Sequence, residues 1–320
     1  MKKMICLCLA CCALFALQAK DVIRGDQNVT KTIRTIQGAF EQIVVNADFN
    51  VTIVYGITPQ VEIESESNLQ PYINTTLKGK TLNINVDKKV DIVPSLPITL
   101  TVTMSNLSKL QFKGKGDISV TSVISSKLDL DLNGEGTCKF QTFETGSLKL
   151  VATDAFKIEF NEVKCGGGKM TLTKGCSANF TKFTGGSKFE LQHDATAAIV
   201  MDLFTADQFK ATCTGTGALT VKSFVGKDVL LTLDGSGNIV FSGTAQGALT
   251  ITNNKSSVVD ASELQIPKAK VENNGTGDVT VNVLKNIDVT IASSGSVIYK
   301  GKENPSIKLV NTGTGQIIKK

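Results

Sequence analysis

Tryptophan is absent from this 320-residue chain, histidine occurs once, at His193, and the only arginines are Arg24 and Arg34. Polysaccharide lyases built on repetitive β scaffolds set a cationic base beside a calcium-holding acidic cluster, and no arginine follows position 34 to serve as that base. Aromatics make up 6% of the residues, and the outward positions of the strands offer no aromatic column on which sugar rings could stack. After residue 19 no Cys-x-x-Cys pair is present, which argues against a zinc site. The net charge of +5 is too mild to point to nucleic acid or to an anionic membrane. Beyond the N-terminus no stretch stays apolar for ~18 residues, so no membrane span is expected.

The N-terminus itself reads as an export signal. Lys2 and Lys3 form a charged start, Met4 to Leu17 is apolar, and Ala19 is a small residue suited to cleavage. The alternative is lipid attachment at Cys11, after Leu9 and Ala10. Loss of residues 1–19 leaves Cys138, Cys165, Cys176 and Cys213 of the original eight cysteines. Cys138 and Cys213 fall where other copies of a repeat carry Leu, Ile or Ala, and are expected as buried free thiols.

That repeat dominates the rest of the sequence. Glycine pairs recur at Gly114/Gly116, Gly134/Gly136, Gly215/Gly217, Gly235/Gly237, Gly275/Gly277 and Gly313/Gly315. Filling the gaps gives eleven copies, at 116, 136, 156, 176, 196, 217, 237, 256, 277, 295 and 315, with those near 196 and 256 shifted by one. Apolar residues stand eight, six and four places before the second glycine, as in Leu128, Leu130 and Leu132. Others stand two and four places after it, as in Ile239 and Phe241, and a third set seven places after, as in Val123 and Phe143. Alternation with period two marks strands with one buried face. A unit of ~20 residues is half of what a propeller blade needs, and it suits one coil of a parallel β-helix. The expected fold is therefore all-β, a right-handed parallel β-helix, or solenoid. Glycines are expected at corners with positive φ, and Asn253, Asn254, Asn273, Asn274 and Asn311 beside them for the same left-handed tolerance. The expected organisation is a signal at 1–19, a linker at 20–36 and a single solenoid domain at 37–320. Within that domain, 37–110 holds irregular opening strands that cover the first coil and 111–320 the regular coils. Lys319 and Lys320 are expected to discourage pairing at the far end.

The opening pattern, Phe40-x-x-Ile43-x-Val45, Phe49-x-Val51-x-Ile53-x-x-Gly56 and Gly79-x-x-Leu82-x-Ile84, resembles the head GIN domain of "putative autotransporter adhesins". The later Gly-x-Gly-x-Ile steps are also similar, so the resemblance runs over about 37–320. It implies a right-handed β-helix with an envelope or secreted location, chiefly in bacteria.

Several residues could carry chemistry. Asp154 and Asp194 fall on one corner two coils apart with Lys174 between them, roughly 10 Å by ladder spacing, and would be the acid and base of a glycoside hydrolase. A solvated ladder of alternating charge is the expected alternative. His193 adjoins Asp194 but no nucleophile is linked to it by a motif, so a surface histidine is expected. Cys165 to Gly168 is a glycine run without the Lys-Ser/Thr of a phosphate loop, expected as a flexible corner. Asp129 and Asp131 lie on the outward face of a strand and lack the further oxygen ligands of a calcium loop. No catalytic, cofactor-binding or metal-binding residue is therefore expected, and no cofactor. The expected function is an exported, adhesin-like binding or structural protein whose partner is an unidentified glycan or surface protein, with no nucleic acid. Its place is the periplasm, the outer-membrane surface or the medium. A polysaccharide-acting enzyme and a self-associating periplasmic scaffold are the alternatives.

Overall fold

The computed structural model describes residues 20–301 and 305–320. The segment read as an export signal, with Cys11, lies outside the described residues. Of the described residues, 72% are in strands, and they wind into a β-solenoid of about 10 turns. The eleven copies counted in the sequence exceed this number by about one. At ~4.8 Å per rung the solenoid is roughly 50 Å long.

Alternation along each strand decides which side chains enter the core, and parallel stacking turns like positions into columns. One column runs Leu150, Met170, Leu191, Ala211, Leu231, Ile251, Val271, Val289 and Leu309, each residue registered on the next. A second is aromatic. Phe140, Phe160 and Phe180 stack with ring centroids 5.1 and 4.6 Å apart, and Phe183 stacks on Phe204 at 4.6 Å. These spacings match the rung repeat, so each ring packs face to face on its counterpart in the next coil.

The register is mostly 20 residues, with local departures to 21, to 19 at Phe224↔Gly243 and to 18 at Val271↔Val289. Met170 pairs with Leu191 and Ala178 with Ile199, a step of 21. The corner expected at 196 therefore stands at Ala197, and the one expected at 256 at Ser257, whose carbonyls lie under Gly217 and Gly277.

Residues 37–110 extend the coil stack at its N-terminal end. Ile73–Lys78 runs antiparallel to Thr81–Val86, which pairs with Gln42–Asn46 and so with Lys109–Lys115 of the first coil. On the neighbouring sheet Gln60–Glu66 runs antiparallel to Thr99–Met104, which pairs with Asn50–Tyr55. Residues 20–36, expected as a linker, form strands instead. Asp21–Arg24 pairs with Val90–Val93, and Val29–Thr35 adds an outer antiparallel strand to Gln60–Glu66. Lys31 bridges to Glu62 and Glu64 at 3.2 and 3.1 Å, and the Arg34 guanidinium donates to the Gln70 carbonyl at 2.9 Å. This outer strand has no buried residue, so no apolar alternation announces it.

Candidate functional site

The carboxylates singled out for catalysis do not form a pair. Asp154 is ion-paired to Lys174, and both take left-handed backbone, with φ of 75° and 56°. The 21-residue step moves Asp194 off this ladder: it registers with Thr173, and its Oδ1 accepts from the Thr214 hydroxyl at 2.9 Å. Further ion pairs one coil apart line the outside, among them Lys115–Glu135 at 3.1 Å, Glu162–Lys182 at 2.8 Å and Asp202–Lys222 at 2.8 Å. Asp129 has an ion pair of its own with Lys127 at 2.9 Å. Among the described residues no three His, Cys, Asp or Glu side chains gather as a metal set.

His193 is not a surface residue. It points into the core, fully buried, on the column that carries Leu172 one coil before and Cys213 one coil after. The same column later holds Leu233, Asn253 and Asn273. Neither ring nitrogen has a hydrogen-bond partner, and burial pushes the imidazole pKa down, with the nearby backbone of Gly217 and Ala218 opposing only part of the effect. Cys138, Cys165, Cys176 and Cys213 are all buried and free, as expected for the first and last of them.

The asparagines also play a different part from the one expected. None has positive φ; among the described residues the only non-glycine positions with it are Gln27, Asp154 and Lys174. Asn253 and Asn273 are buried, and their side-chain amides donate to the corner carbonyls of Ser257 and Gly277 at 2.9 and 3.0 Å. Asn254 and Asn274 form a separate outer ladder, donating to Asp234 and Asn254 at 2.7 and 3.0 Å. The glycine run after Cys165 is a packed corner. The amides of Gly166 and Gly186 donate to Thr145 and Cys165 carbonyls at 3.0 and 2.8 Å, and the Cys165 thiol donates to Gly167 at 2.8 Å.

The feature that the sequence did not flag is a cavity of about 240 Å³ near the first coil. Its walls are Ile53, Met104, Leu107 and Val123, and Tyr55 and Ile124 stand at its rim. Tyr55 is 68% exposed, Ile57 85% and Ile124 76%, the three most exposed large apolar residues among those described. The cavity follows from where strand pairing stops. Asn50–Tyr55 carries the first coil only from Val51↔Ile118 to Ile53↔Val120, and pairing on that side resumes at Asp129, which lies on Lys109. Among the described residues, no strand pairs with 121–128 on that side. Val123 thus begins an inner column, continued by Phe143, with nothing stacked before it. Asn106 also lines the cavity, while its Oδ1 is shielded from solvent and has no hydrogen-bond partner.

The family described as "Putative auto-transporter adhesin, head GIN domain" matches over residues 39–185 and again over 183–302, and the chain belongs to that family. Among solved structures, a "putative adhesin" from Bacteroides fragilis is 17% identical with a TM-score of 0.38, covering 93% of this chain and 100% of its own. A "putative adhesin" from Parabacteroides distasonis is 19% identical with a TM-score of 0.40, covering 94% of this chain and 100% of its own. A "putative lipid binding protein" from Parabacteroides distasonis is 17% identical with a TM-score of 0.36, with the same coverages. None of the curated proteins is similar in sequence to this chain.

Proposed function

We propose that this member of the head GIN domain family is an exported, non-catalytic binding protein of adhesin type, a single rod that presents its apolar cavity to a partner. The observation that carries the reading is that two of the three most exposed large apolar side chains among the described residues, Tyr55 and Ile124, line one apolar cavity, with the third, Ile57, two residues from Tyr55 in the chain. Exposed apolar residues gathered at one place mark interaction sites far more often than scattered ones do. The separation of Asp154 from Asp194, each engaged by a neighbour, supports a non-catalytic role. Export to the envelope or the medium is supported by the apolar stretch from Met4 to Leu17 and by the family's description. No helix among the described residues is long and apolar enough to cross a membrane.

The test is incubation of the protein with a panel of polysaccharides and extracellular-matrix proteins, recording both retention and new reducing ends. Retention without product is expected. Depolymerisation would overturn the non-catalytic reading.

A self-associating role draws on one further observation. Ile307 and Leu309 register on the buried Ile287 and Val289 but are 44% and 43% exposed themselves, because no coil follows theirs among the described residues. If copies stack there, Leu309→Lys abolishes concentration-dependent association in sedimentation velocity. An unchanged monomer signal for the wild type removes this role.

A further inference from the structure

The chain's modest positive charge is unevenly spread over the solenoid. Several outward columns alternate in sign from coil to coil, as in Lys115–Glu135, Glu162–Lys182 and Asp202–Lys222. The column Lys149, Lys169, Glu190 and Lys210, each registered on the next, does not. Lys149 and Lys169 stand like on like, one rung of ~4.8 Å apart, an arrangement that costs free energy unless an anion offsets it. Glu190 is taken by Lys188 of its own strand at 2.6 Å, and Lys169 and Lys210 act on it only at longer range. The side chains of Lys149, Lys169 and Lys210 form no ion pair or hydrogen bond among the described residues. Acids close the row at both ends, Asp129 and Asp131 before it and Asp228 and Asp234 after it, so the cationic stretch spans three rungs, ~14 Å. Two residues further along the same strands stand Thr171, Gln192 and Thr212, neutral and capable of hydrogen bonds. A shallow hollow of about 230 Å³ lies between Lys169, Glu190, Gln192, Lys210 and Thr212.

We propose that this face binds an acidic polysaccharide, with its anionic groups on Lys149, Lys169 and Lys210 and its hydroxyls on Thr171, Gln192 and Thr212. The site goes beyond the apolar cavity, with which it shares no residue. Charge complementarity selects the anion: a carboxylate or sulfate set against the stacked ammonium groups offsets their repulsion. The hydroxyl and amide side chains select the polymer, since they both donate and accept and so match sugar hydroxyls. Lys169 and Lys210 are two rungs apart, ~9.6 Å, the scale of a disaccharide. A glycan with an acid on every second sugar can therefore meet both while lying along the solenoid axis. Nucleic acid fits less well. The outward positions of these four coils carry no arginine for bidentate phosphate contacts and no aromatic ring for stacking bases.

The test is calorimetric titration of the whole protein with hyaluronan, whose only anion is carboxylate, and with chondroitin sulfate, which adds sulfate. Neutral dextran and single-stranded oligothymidylate are run beside them. Saturable binding of at least one acidic glycan is expected, with none of dextran and weaker binding of the oligonucleotide. Binding of hyaluronan assigns carboxylate to the site, and binding of chondroitin sulfate alone assigns sulfate. Affinity should fall about tenfold or more between about 50 and 200 mM salt, as for an interaction carried by about three charge contacts. Lys149→Gln/Lys169→Gln/Lys210→Gln weakens it by about tenfold or more, the loss of those contacts. The control Lys78→Gln/Lys255→Gln/Lys285→Gln makes the same change in net charge at exposed lysines elsewhere. It leaves affinity within about twofold, because distant surface charges are screened. Equal loss in the two triple variants would show diffuse charge attraction and overturn the proposal. So would absence of acidic-glycan binding, or tighter binding of oligothymidylate, which assigns the row to nucleic acid. Tyr55→Ser, at the apolar cavity, leaves glycan affinity unchanged, so failure of this site and failure of the cavity reading are seen separately. A loss of glycan binding in Tyr55→Ser would instead move the glycan to the cavity and overturn this site.

Discussion

Asn253 donates its side-chain amide to Oδ1 of Asn273, 3.1 Å away and one coil further along the interior of the solenoid. The same amide donates to the Ser257 carbonyl of its own corner at 2.9 Å, and Asn273 repeats the contact with Gly277 at 3.0 Å. Each asparagine thus ties the start of a corner to its end and holds one coil to the next. Asn311 donates to Gly315 in the same way at 2.9 Å. Asn253→Leu would place on this column the residue type that Leu233 already supplies one coil earlier, so size alone predicts tolerance. Yet it leaves the Ser257 carbonyl and Asn273 Oδ1 without that donor in a dry interior. The expected loss is about 1–3 kcal/mol of unfolding free energy, measured by denaturant titration. A neutral or stabilising result would show that the ladder is incidental to the corner.

Gly114, Gly116, Gly134 and Gly136 have the positive φ expected of corner glycines, but from Gly215 on the corner glycines answer to crowding alone. At Gly237 an added Cβ would lie 2.1 Å from the Gly217 carbonyl oxygen of the preceding coil, well inside contact distance. At Gly79 a Cβ meets nothing within 4 Å, but φ is +58°. Gly237→Ala must push two coils apart and is expected to cost about 1–3 kcal/mol or more, as overpacking does. Gly79→Ala costs only the left-handed conformation, about 1–2 kcal/mol. Thermal melts of the two variants should rank them in that order, and the reverse ranking would contradict the crowding account.

Burial holds His193 neutral in the folded chain. An unfolded histidine takes up a proton near pH 6.5. Below that pH the unfolded state binds more protons than the folded one, so this residue's contribution to stability falls as pH drops, by up to about 1.4 kcal/mol per unit until the lowered folded pKa is reached. His193→Leu removes the effect and suits a column already carrying Leu172 and Leu233. The stability difference between variant and wild type should therefore grow in the variant's favour from pH 7 to pH 5. A difference that stays constant with pH would mean that His193 is free to ionise in the fold.

Burial also pushes the Cys213 thiol up to about 12, and the Cys138 thiol higher still. The thiolate is the reactive form. An aromatic disulfide reagent at pH 8 should leave both untouched in the native protein and label them as the chain unfolds in denaturant. Rapid native labelling of Cys213 would show that the solenoid opens there.

The coils were legible in the sequence because one physical pattern, alternation with a 20-residue period, sets both the strands and the columns they form. Leu231 or Val271 could be placed in the core from spacing alone. Val29–Thr35 could not be seen, since an outer edge strand carries polar residues on both faces. His193 was misplaced on the surface because a lone polar residue on an inward position is invisible until the register is known, and the 21-residue step occurs at that coil. The asparagines gave the right corners for the wrong reason: their side chains bond the corner, and their backbones are not left-handed. The cavity had no signal at all. It arises because pairing between Asn50–Tyr55 and the first coil ends at Ile53↔Val120, a relation between segments far apart in the chain.

Whether the chain binds through this surface without cutting is read most directly by comparing wild type with the Tyr55→Ser/Ile124→Lys double variant on whichever panel member retains the wild type. Both side chains are largely exposed, at 68% and 76%, so the fold and its circular dichroism should not change. At least tenfold weaker retention of the variant, with no new reducing ends from either protein, is the predicted result. Equal retention, or sugar release by the wild type, would contradict it.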